Sequence, residues 1–165
     1  MTSAVIGGKR IALRLLEPDD SNLIRRFYWR LSQDSVYRRF MGPVVPPADA
    51  LIRRLVDVDH RKRDALIALD ARGIAGVARY AAFPGEDMYD VAVVVADDWQ
   101  GKGLGRLLMR RLAHIARLRG ISSFHATMFG DNHRALALVR SLSPRATFQF
   151  DAGEVEADIP LRAHA

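Results

Sequence analysis

The chain has 165 residues, of which 49% are apolar and 27% charged, with a net charge of +6 and no cysteine. These values indicate one globular domain over residues 1–165, with flexible ends at 1–9 and 161–165. The missing cysteine excludes disulfides, thiolate metal sites and a cysteine nucleophile. No run of about 18 apolar residues and no signal-peptide-like start are present, so the sequence predicts a cytoplasmic protein with no membrane partner.

The positive charge raises the question of a nucleic-acid partner. The isoelectric point is about 10.3. However, the arginines form scattered doublets on predicted helices, as at Arg25-Arg26, Arg38-Arg39 and Arg53-Arg54, and no basic run is interleaved with aromatic residues. We therefore interpret them as solvated helix faces and expect no nucleic acid as partner. A DNA-binding domain stays an open alternative, which predicts a steeply salt-dependent affinity for DNA.

The first half of the chain predicts strands and helices in mixed order. Alternating apolar residues predict a strand over residues 10–16, and helical spacing predicts a helix from about Leu23 to Leu31. A second helix is expected after Pro46-Pro47, because proline suits the first turn of a helix. Two strands, at 64–69 and 74–83, follow with a turn between them.

In the second half of the chain, a glycine-rich turn lies between a predicted strand and a predicted helix. The strand covers 91–96, the turn runs from Gln100 to Gly105, and the helix covers 104–119, with Leu118 in its buried stripe. Gly120 ends that helix. The remaining predicted elements are a strand at 123–129, a helix from Asn132 and two closing strands at 147–150 and 155–159. This order predicts an α/β domain with a mixed, twisted sheet.

The glycine-rich turn favours a phosphate ligand, because backbone N–H groups and the positive end of the helix dipole point to one place. The segment is not a P-loop, since no G-x-x-x-x-G-K-[ST] occurs in the chain. It also departs from the dinucleotide fingerprint, because Arg106 stands where the third glycine is required. The remaining pattern is Q-x-x-G-x-G, from Gln100 to Gly105.

This pattern resembles the acetyl-CoA signature of the GNAT superfamily, the Gcn5-related N-acetyltransferases. The order of elements around it also matches, and the resemblance covers roughly residues 11–150. It implies a single GNAT domain: a central, twisted mixed sheet of about six or seven strands flanked by about four helices. The sheet is expected to splay between the strand before the glycine turn and the strand after its helix.

Within the superfamily, three segments are similar to the GNAT domain of bacterial protein lysine acetyltransferases: 35–40, 91–100 and 132–134. The general base of that group is a glutamate on the strand before the glycine turn, and the alignment puts Asp90 at its position. Aspartate is one methylene shorter, so Asp90 is expected to act directly, through a water or only by orienting the substrate. Glu86 and Asp87 are the reserve candidates.

The resemblance also implies a set of acetyl-CoA contacts. The diphosphate is expected at the turn and the first helical residues, namely Gln100, Gly101, Lys102, Gly103, Leu104, Gly105 and Arg106. The pantetheine arm is expected along Val93, Val94 and Val95, whose backbone would also polarise the thioester. Asn132 is expected to contact pantetheine, to cap its helix, or both.

Other residues carry weaker signals. Many GNAT enzymes have a tyrosine on the last helix that protonates the leaving thiolate, and here Val139 takes that position. The histidines lack metal-site spacing, so no metal is expected. His133 is interpreted as an exposed first-turn residue, with a place in the CoA channel as the alternative. Tyr28, Trp29 and Tyr37 are either the floor of the acceptor site or packing residues.

Together these features predict an acetyl-CoA-dependent N-acetyltransferase that transfers the acetyl group directly in a ternary complex. Family likeness favours a protein lysine as the acceptor. A small amine, such as a polyamine, amino sugar or amino acid, is the alternative acceptor. A non-catalytic acyl-CoA sensor is the alternative from another functional class.

Overall fold

The computed structural model describes residues 1–43 and 48–161. Its elements, in chain order, are β1 (Thr2–Ile6), β2 (Lys9–Leu15), α1 (Ser21–Arg30), α2 (Gln33–Phe40), α3 (Asp49–Val56), β3 (Arg63–Asp70), β4 (Gly73–Ala82), β5 (Tyr89–Val95), a short 3-10 turn (Asp97–Trp99), α4 (Leu104–Leu118), β6 (Ser123–Phe129), α5 (His133–Leu142), β7 (Thr147–Asp151) and β8 (Glu154–Pro160). Pro46 and Pro47, expected before the second helix, lie outside the described residues.

All eight strands form one sheet in the order β1-β2-β3-β4-β5-β6-β8-β7. Neighbouring strands are antiparallel except β5 and β6, which run parallel because α4 connects them as a crossover. The mixed α/β class is confirmed. The sheet has one strand more than the upper expectation, and five helices stand where about four were expected.

The additional elements lie near the amino terminus. Residues 1–9 were expected to be flexible, whereas Thr2–Ile6 form β1 and pair with β2 as an antiparallel hairpin. Gly7 and Gly8 make its turn with positive φ angles of 56° and 76°. Three of its five residues are apolar, but they are consecutive and none is buried at this sheet edge, so the sequence shows no alternating pattern that would predict the strand.

Helices cover both faces of the sheet. α4 lies on the face of Gly76, because a Cβ placed on Gly76 would come within 2.8 Å of Leu108 Cδ1. α1 also packs on β4, next to α3. Since the side chains of Gly76 and Arg79 have opposite parity on β4, α1 with its Tyr28 beside Arg79 covers the other face.

The amphipathic pattern of α4 is confirmed except at its end. Leu104, Leu108 and Leu112 are buried, and Ala116 continues their stripe. Leu118 was expected in the stripe but is 76% exposed. Six residues after Leu112, it has rotated by about 240° around the helix and points away from the sheet. No helix among the described residues is long and apolar enough to span a bilayer.

Candidate acyl-CoA site

The centre of the sheet opens between β5 and β6. Their ladder consists of the single parallel pair Asp90↔His125, whereas β5 pairs with β4 along its whole length. Beyond that pair the two strands diverge toward their carboxyl ends, as the resemblance implied. One edge of β5 is therefore free of strand pairing in the interior of the protein.

The direction of the backbone groups shows which residues face this gap. The Ala96 N–H donates to Ala75 O on the β4 side, at 2.8 Å. Because successive amides alternate in direction along a strand, Val94 also faces β4, whereas Val93 and Val95 face the gap. Of the three valines predicted to line pantetheine, two thus direct their backbone groups into the gap. Val94 contributes only a buried side chain on the α1 face.

The glycine-rich turn leads directly from this gap into α4. Gly101 and Gly103 have φ angles of 72° and 90°, in the left-handed region that favours glycine. Gly103 is the N-cap of α4 and provides no side-chain cap. The first backbone N–H groups of the helix, those of Leu104, Gly105 and Arg106, therefore have no partner in the preceding turn, which is the arrangement that binds a phosphate.

The side chains around the turn differ in their availability. Gly105 faces Val95 and Leu138, which would lie 3.6 and 3.8 Å from an added Cβ. Arg106 is exposed on the first turn of α4. Lys102 lies back on the 3-10 turn: its Nζ donates to Asp98 O at 2.6 Å and sits 5.8 Å from the centre of the Trp99 ring. The Lys102 ammonium is thus engaged at the 3-10 turn.

Gln100 connects three elements around the turn. Its Nε2 donates to Val95 O at 3.0 Å and to Ser35 Oγ at 3.1 Å, and its Oε1 accepts from Arg134 NH1 at 2.7 Å. These bonds explain why glutamine begins the motif: it holds the turn to both β5 and α2. Sequence reasoning missed Arg134 as a site residue. Arg134 lies in the first turn of α5, the helix after β6, and a cation at that place was a signal in the sequence that could have identified it.

Asn132 caps α5, which is one of the two roles expected of it. Its side-chain oxygen accepts from the Ala135 N–H at 3.2 Å. The expected contact with pantetheine stays a prediction. His133, next to it, is exposed, as interpreted from the sequence.

Asp90 stands at the base of the gap, where β5 and β6 meet. Among the described residues its carboxylate has no ion pair or side-chain hydrogen bond. Burial raises its pKa above the usual value, although the charges of Arg39, His125 and Arg79 oppose the shift. An unpaired carboxylate of raised pKa is the state expected of a general base that works near neutral pH. Glu86 and Asp87, the reserve candidates, are exposed in the turn before β5.

A cleft lies on the α2 side of the gap. It has a volume of about 560 Å³, and Tyr37 and Arg38 of α2 line it opposite Phe129 and Asp131. The rings of Tyr37 and Phe129 stack with centroids 5.3 Å apart, and Arg38 pairs with Asp131 at 3.2 Å. α2 thus reaches across to the end of β6.

The other two aromatic candidates do not join this cleft. Tyr28 is buried and packs against Phe27 and Phe40, so it is a packing residue. Trp29 is 67% exposed. Val139, at the position of the family's tyrosine, is buried. Within residues 1–43 and 48–161 no three or more His, Asp or Glu side chains come together as metal ligands.

Comparisons with known proteins agree with this geometry. The model of the acetyltransferase (GNAT) family matches residues 25–142. Acetyltransferase PA5475 of Pseudomonas aeruginosa is 35% identical over 124 residues, which are 72% of this chain and 66% of that protein. Acetyltransferase Pat of Mycolicibacterium smegmatis is 33% identical over 130 residues, or 76% of this chain and 38% of that protein.

Among solved structures, the GNAT domain of S. lividans PAT superimposes with a TM-score of 0.86 at 25% identity, and 96% of each chain is covered. The chain thus spans less than two thirds of the two relatives but nearly all of this domain. The family model alone covers more than half of the chain. The chain therefore belongs to the GNAT acetyltransferase family.

Proposed function

We propose that this chain transfers the acetyl group of acetyl-CoA directly to a primary amine in a ternary complex. The GNAT family uses acetyl-CoA, which supplies the reactive thioester. The observation that carries the proposal is the junction at Asp90↔His125, where a carboxylate that no described residue pairs with stands at the base of the gap that the Val93 and Val95 amides face. Holding the two reactants there makes the transfer effectively intramolecular.

Asp90 is assigned the removal of the amine proton. A lysine amine of pKa about 10.4 is neutral in only about one molecule in a thousand at pH 7.4. Asp90 takes the proton directly or through a water, and a positioned base is worth roughly 10²–10⁴-fold in rate. The Val93 N–H, facing the gap, donates to the thioester oxygen as negative charge develops on it.

The amine nitrogen forms its bond to the acetyl carbon as the carbon–sulfur bond breaks. The leaving thiolate takes its proton from water, because Val139 supplies none and a thiol pKa near 8.5 makes the thiolate a fair leaving group. The chain has no cysteine to carry the acetyl group. Direct transfer is therefore proposed over a cysteinyl-enzyme.

The proposed acceptor is a lysine side chain on a protein. The likeness of residues 35–40, 91–100 and 132–134 to bacterial protein lysine acetyltransferases supports it. A small amine, such as a polyamine, amino sugar or amino acid, is the alternative acceptor.

Incubation of the protein with radiolabelled acetyl-CoA and a cell lysate tests the acceptor. We expect label in the protein fraction, on lysine. Label confined to small metabolites would contradict the protein acceptor and favour the alternative. Calorimetry with acetyl-CoA and CoA tests the donor, and no heat with either would contradict the whole proposal.

A non-catalytic acyl-CoA sensor is the second candidate. Two features favour it, the shorter carboxylate at Asp90 and the valine at 139. Thiol release from acetyl-CoA separates the two functions. Tight binding without turnover on any amine identifies the sensor, whereas turnover that depends on Asp90 identifies the enzyme.

The organisation and location of the protein also stay proposals. One continuous sheet and one hydrophobic cluster support a single domain over the described residues. A cytoplasmic location stays a prediction, which cell fractionation would check.

A further inference from the structure

Arg79 of β4 and Arg39 of α2 are the two partly buried arginines that have no ion pair with a described residue. Arg14, Arg30 and Arg119 each pair with an aspartate. Arg79 is also partly buried, but within the described part of the chain its guanidinium has neither a hydrogen bond nor an ion pair. Its nitrogens keep contact with solvent, since Arg30 Nε is the one buried side-chain nitrogen without a partner among the described residues. A guanidinium that is accessible and has no partner is available to bind an anion.

The strand register places Arg79 beside Asp90. Arg79 lies opposite Ala92, and Ala81 lies opposite Asp90. These four residues form a square on one face of the sheet, with Arg79 and Asp90 on one diagonal and the two alanines on the other. Diagonal neighbours of this kind are about 7–8 Å apart, within reach of a long side chain.

Arg79 and Asp90 nevertheless form no ion pair. The two alanines are small and partly exposed, so the floor between the two charged groups is open. A ligand on this floor would touch Asp90 at one corner and Arg79 at the other. The Asp90 carboxylate and the Arg79 guanidinium therefore suit a molecule that carries an amine and a carboxylate, because each group would lie next to one of opposite charge.

The surrounding charge is positive. Burial and the neighbouring Arg39 lower the pKa of Arg79 to about 10, so it stays cationic at neutral pH. Arg39 is also the foremost charge acting on Asp90. Two guanidiniums near the base repel an acceptor with several amines and attract one with a nearby carboxylate.

We propose that Arg79 binds a carboxylate of the acceptor, so that the preferred substrate is a lysine with an acidic residue beside it. This inference rests on the proposed function. The acceptor is a better source of the carboxylate than the acyl group, because β4 lies across β5 from the gap that takes the pantetheine arm. The same charges disfavour polyamines as acceptors.

A pair of end-blocked peptides tests the proposal. The two peptides are identical except for the residue next to the lysine, which is Glu in one and Gln in the other. One such pair has this residue before the lysine, and a second pair has it after the lysine. We expect kcat/KM for a Glu peptide to exceed that for its Gln partner about ten-fold or more, because hydrogen bonds between charged groups are strong. Arg79→Gln should remove this preference, so that the ratio of kcat/KM for the Glu peptide to that for the Gln peptide falls to about one within the variant. Arg79→Lys should restore part of it.

Arg110→Gln is the matched control, since Arg110 is an exposed arginine on α4, across the sheet. The Arg110→Gln variant should prefer the Glu peptide over the Gln peptide as strongly as the wild type does. Equal rates for Glu and Gln peptides in the wild type would overturn the proposal. So would an Arg79-dependent gain for succinyl-CoA over acetyl-CoA with the Gln peptide, which would assign the carboxylate to the acyl group. A faster reaction with spermidine than with the Glu peptide would also overturn it.

Peptide binding to the CoA-loaded protein separates this inference from the proposed function. Without turnover on any amine, the proposed function fails. If the Glu peptide then still binds about ten-fold more tightly than the Gln peptide, and Arg79→Gln abolishes the difference, the carboxylate site stands. If the two peptides bind equally, both ideas fail.

Discussion

At the scale of single residues, Asp90 carries most of the proposed chemistry. Asp90→Asn keeps the size of the side chain but cannot accept the amine proton. We expect kcat to fall by roughly 10²–10⁴-fold while acetyl-CoA affinity stays unchanged. Thiol release and calorimetry measure the two quantities. Asp151→Asn, an exposed change at the end of β7, is the control. Equal rates in Asp90→Asn and wild type would remove Asp90 from the mechanism.

The neighbours of Asp90 lead to a prediction about pH. A base must be ionised, so kcat/KM should rise with pH through the pKa of Asp90, which burial raises above 3.8. The Arg39 charge opposes that rise, so Arg39→Gln should raise the pKa further and move the acidic limb of the profile to higher pH. Arg26→Gln, an exposed change on α1, should leave the limb in place. A shift toward lower pH in Arg39→Gln would contradict this assignment.

At the scale of elements, the start of α4 contains two glycines that have different structural roles. Gly103 has a φ of 90°, whereas Gly105 is an ordinary helical residue with room for a Cβ. Gly103→Ala should therefore lower thermal stability, by roughly 1–2 kcal/mol of strain, and weaken acetyl-CoA binding. Gly105→Ala should keep the stability of the wild type.

Acetyl-CoA affinity of the Gly105→Ala variant then reports the ligand alone. If the diphosphate lies against the first turn of α4, the added methyl group should weaken binding, measured by calorimetry. Unchanged affinity in both glycine variants, each correctly folded, would place the diphosphate elsewhere.

The elements also show where sequence patterns suffice. The helix from Leu104 and the strand at Ser123–Phe129 were predicted to within a residue, because long periodic patterns identify buried faces. α2 was not predicted as a separate helix, and it contains no fully buried residue. Its Ser32 cap and its contacts with Phe129 and Asp131 become visible only in three dimensions.

At the scale of the whole molecule, a polar network joins distant segments at the end of α4. Asp64 is fully buried and bonds to His60 Nδ1 at 3.0 Å and to Arg119, which also donates to Tyr80. His60 Nε2 contacts Glu17 at 3.3 Å. The network thus connects the segment between β2 and α1 with β3, β4 and the end of α4, at the opposite end of α4 from the glycine turn.

This network predicts a pH-dependent stability. Burial lowers the pKa of His60, but hydrogen bonds with Asp64 and Glu17 outweigh it, and the net shift is upward. Protonated His60 therefore stabilises the fold fully below its unfolded pKa of about 6.5, and this contribution is lost as pH rises through the folded value. The melting temperature of the wild type should exceed that of His60→Gln more at pH 6 than at pH 9.

His133→Gln serves as the control, because His133 is exposed on α5 and makes no ion pair with the described residues. Its difference from wild type should not change with pH. A constant difference between wild type and His60→Gln across the same range would show that the network is insensitive to the charge of His60.

The sequence by itself determined the family, the mixed sheet and the glycine-rich turn before α4. These depend on local rules: the period of apolar residues, the glycines at left-handed φ, and the strand–turn–helix order. The tertiary structure alone decided which residues meet across the sheet, namely Asp90 with His125, Arg79 beside Asp90, and Arg134 on Gln100. Such contacts join residues far apart in the chain, and their register is set by how strands and helices pack, which no local pattern records.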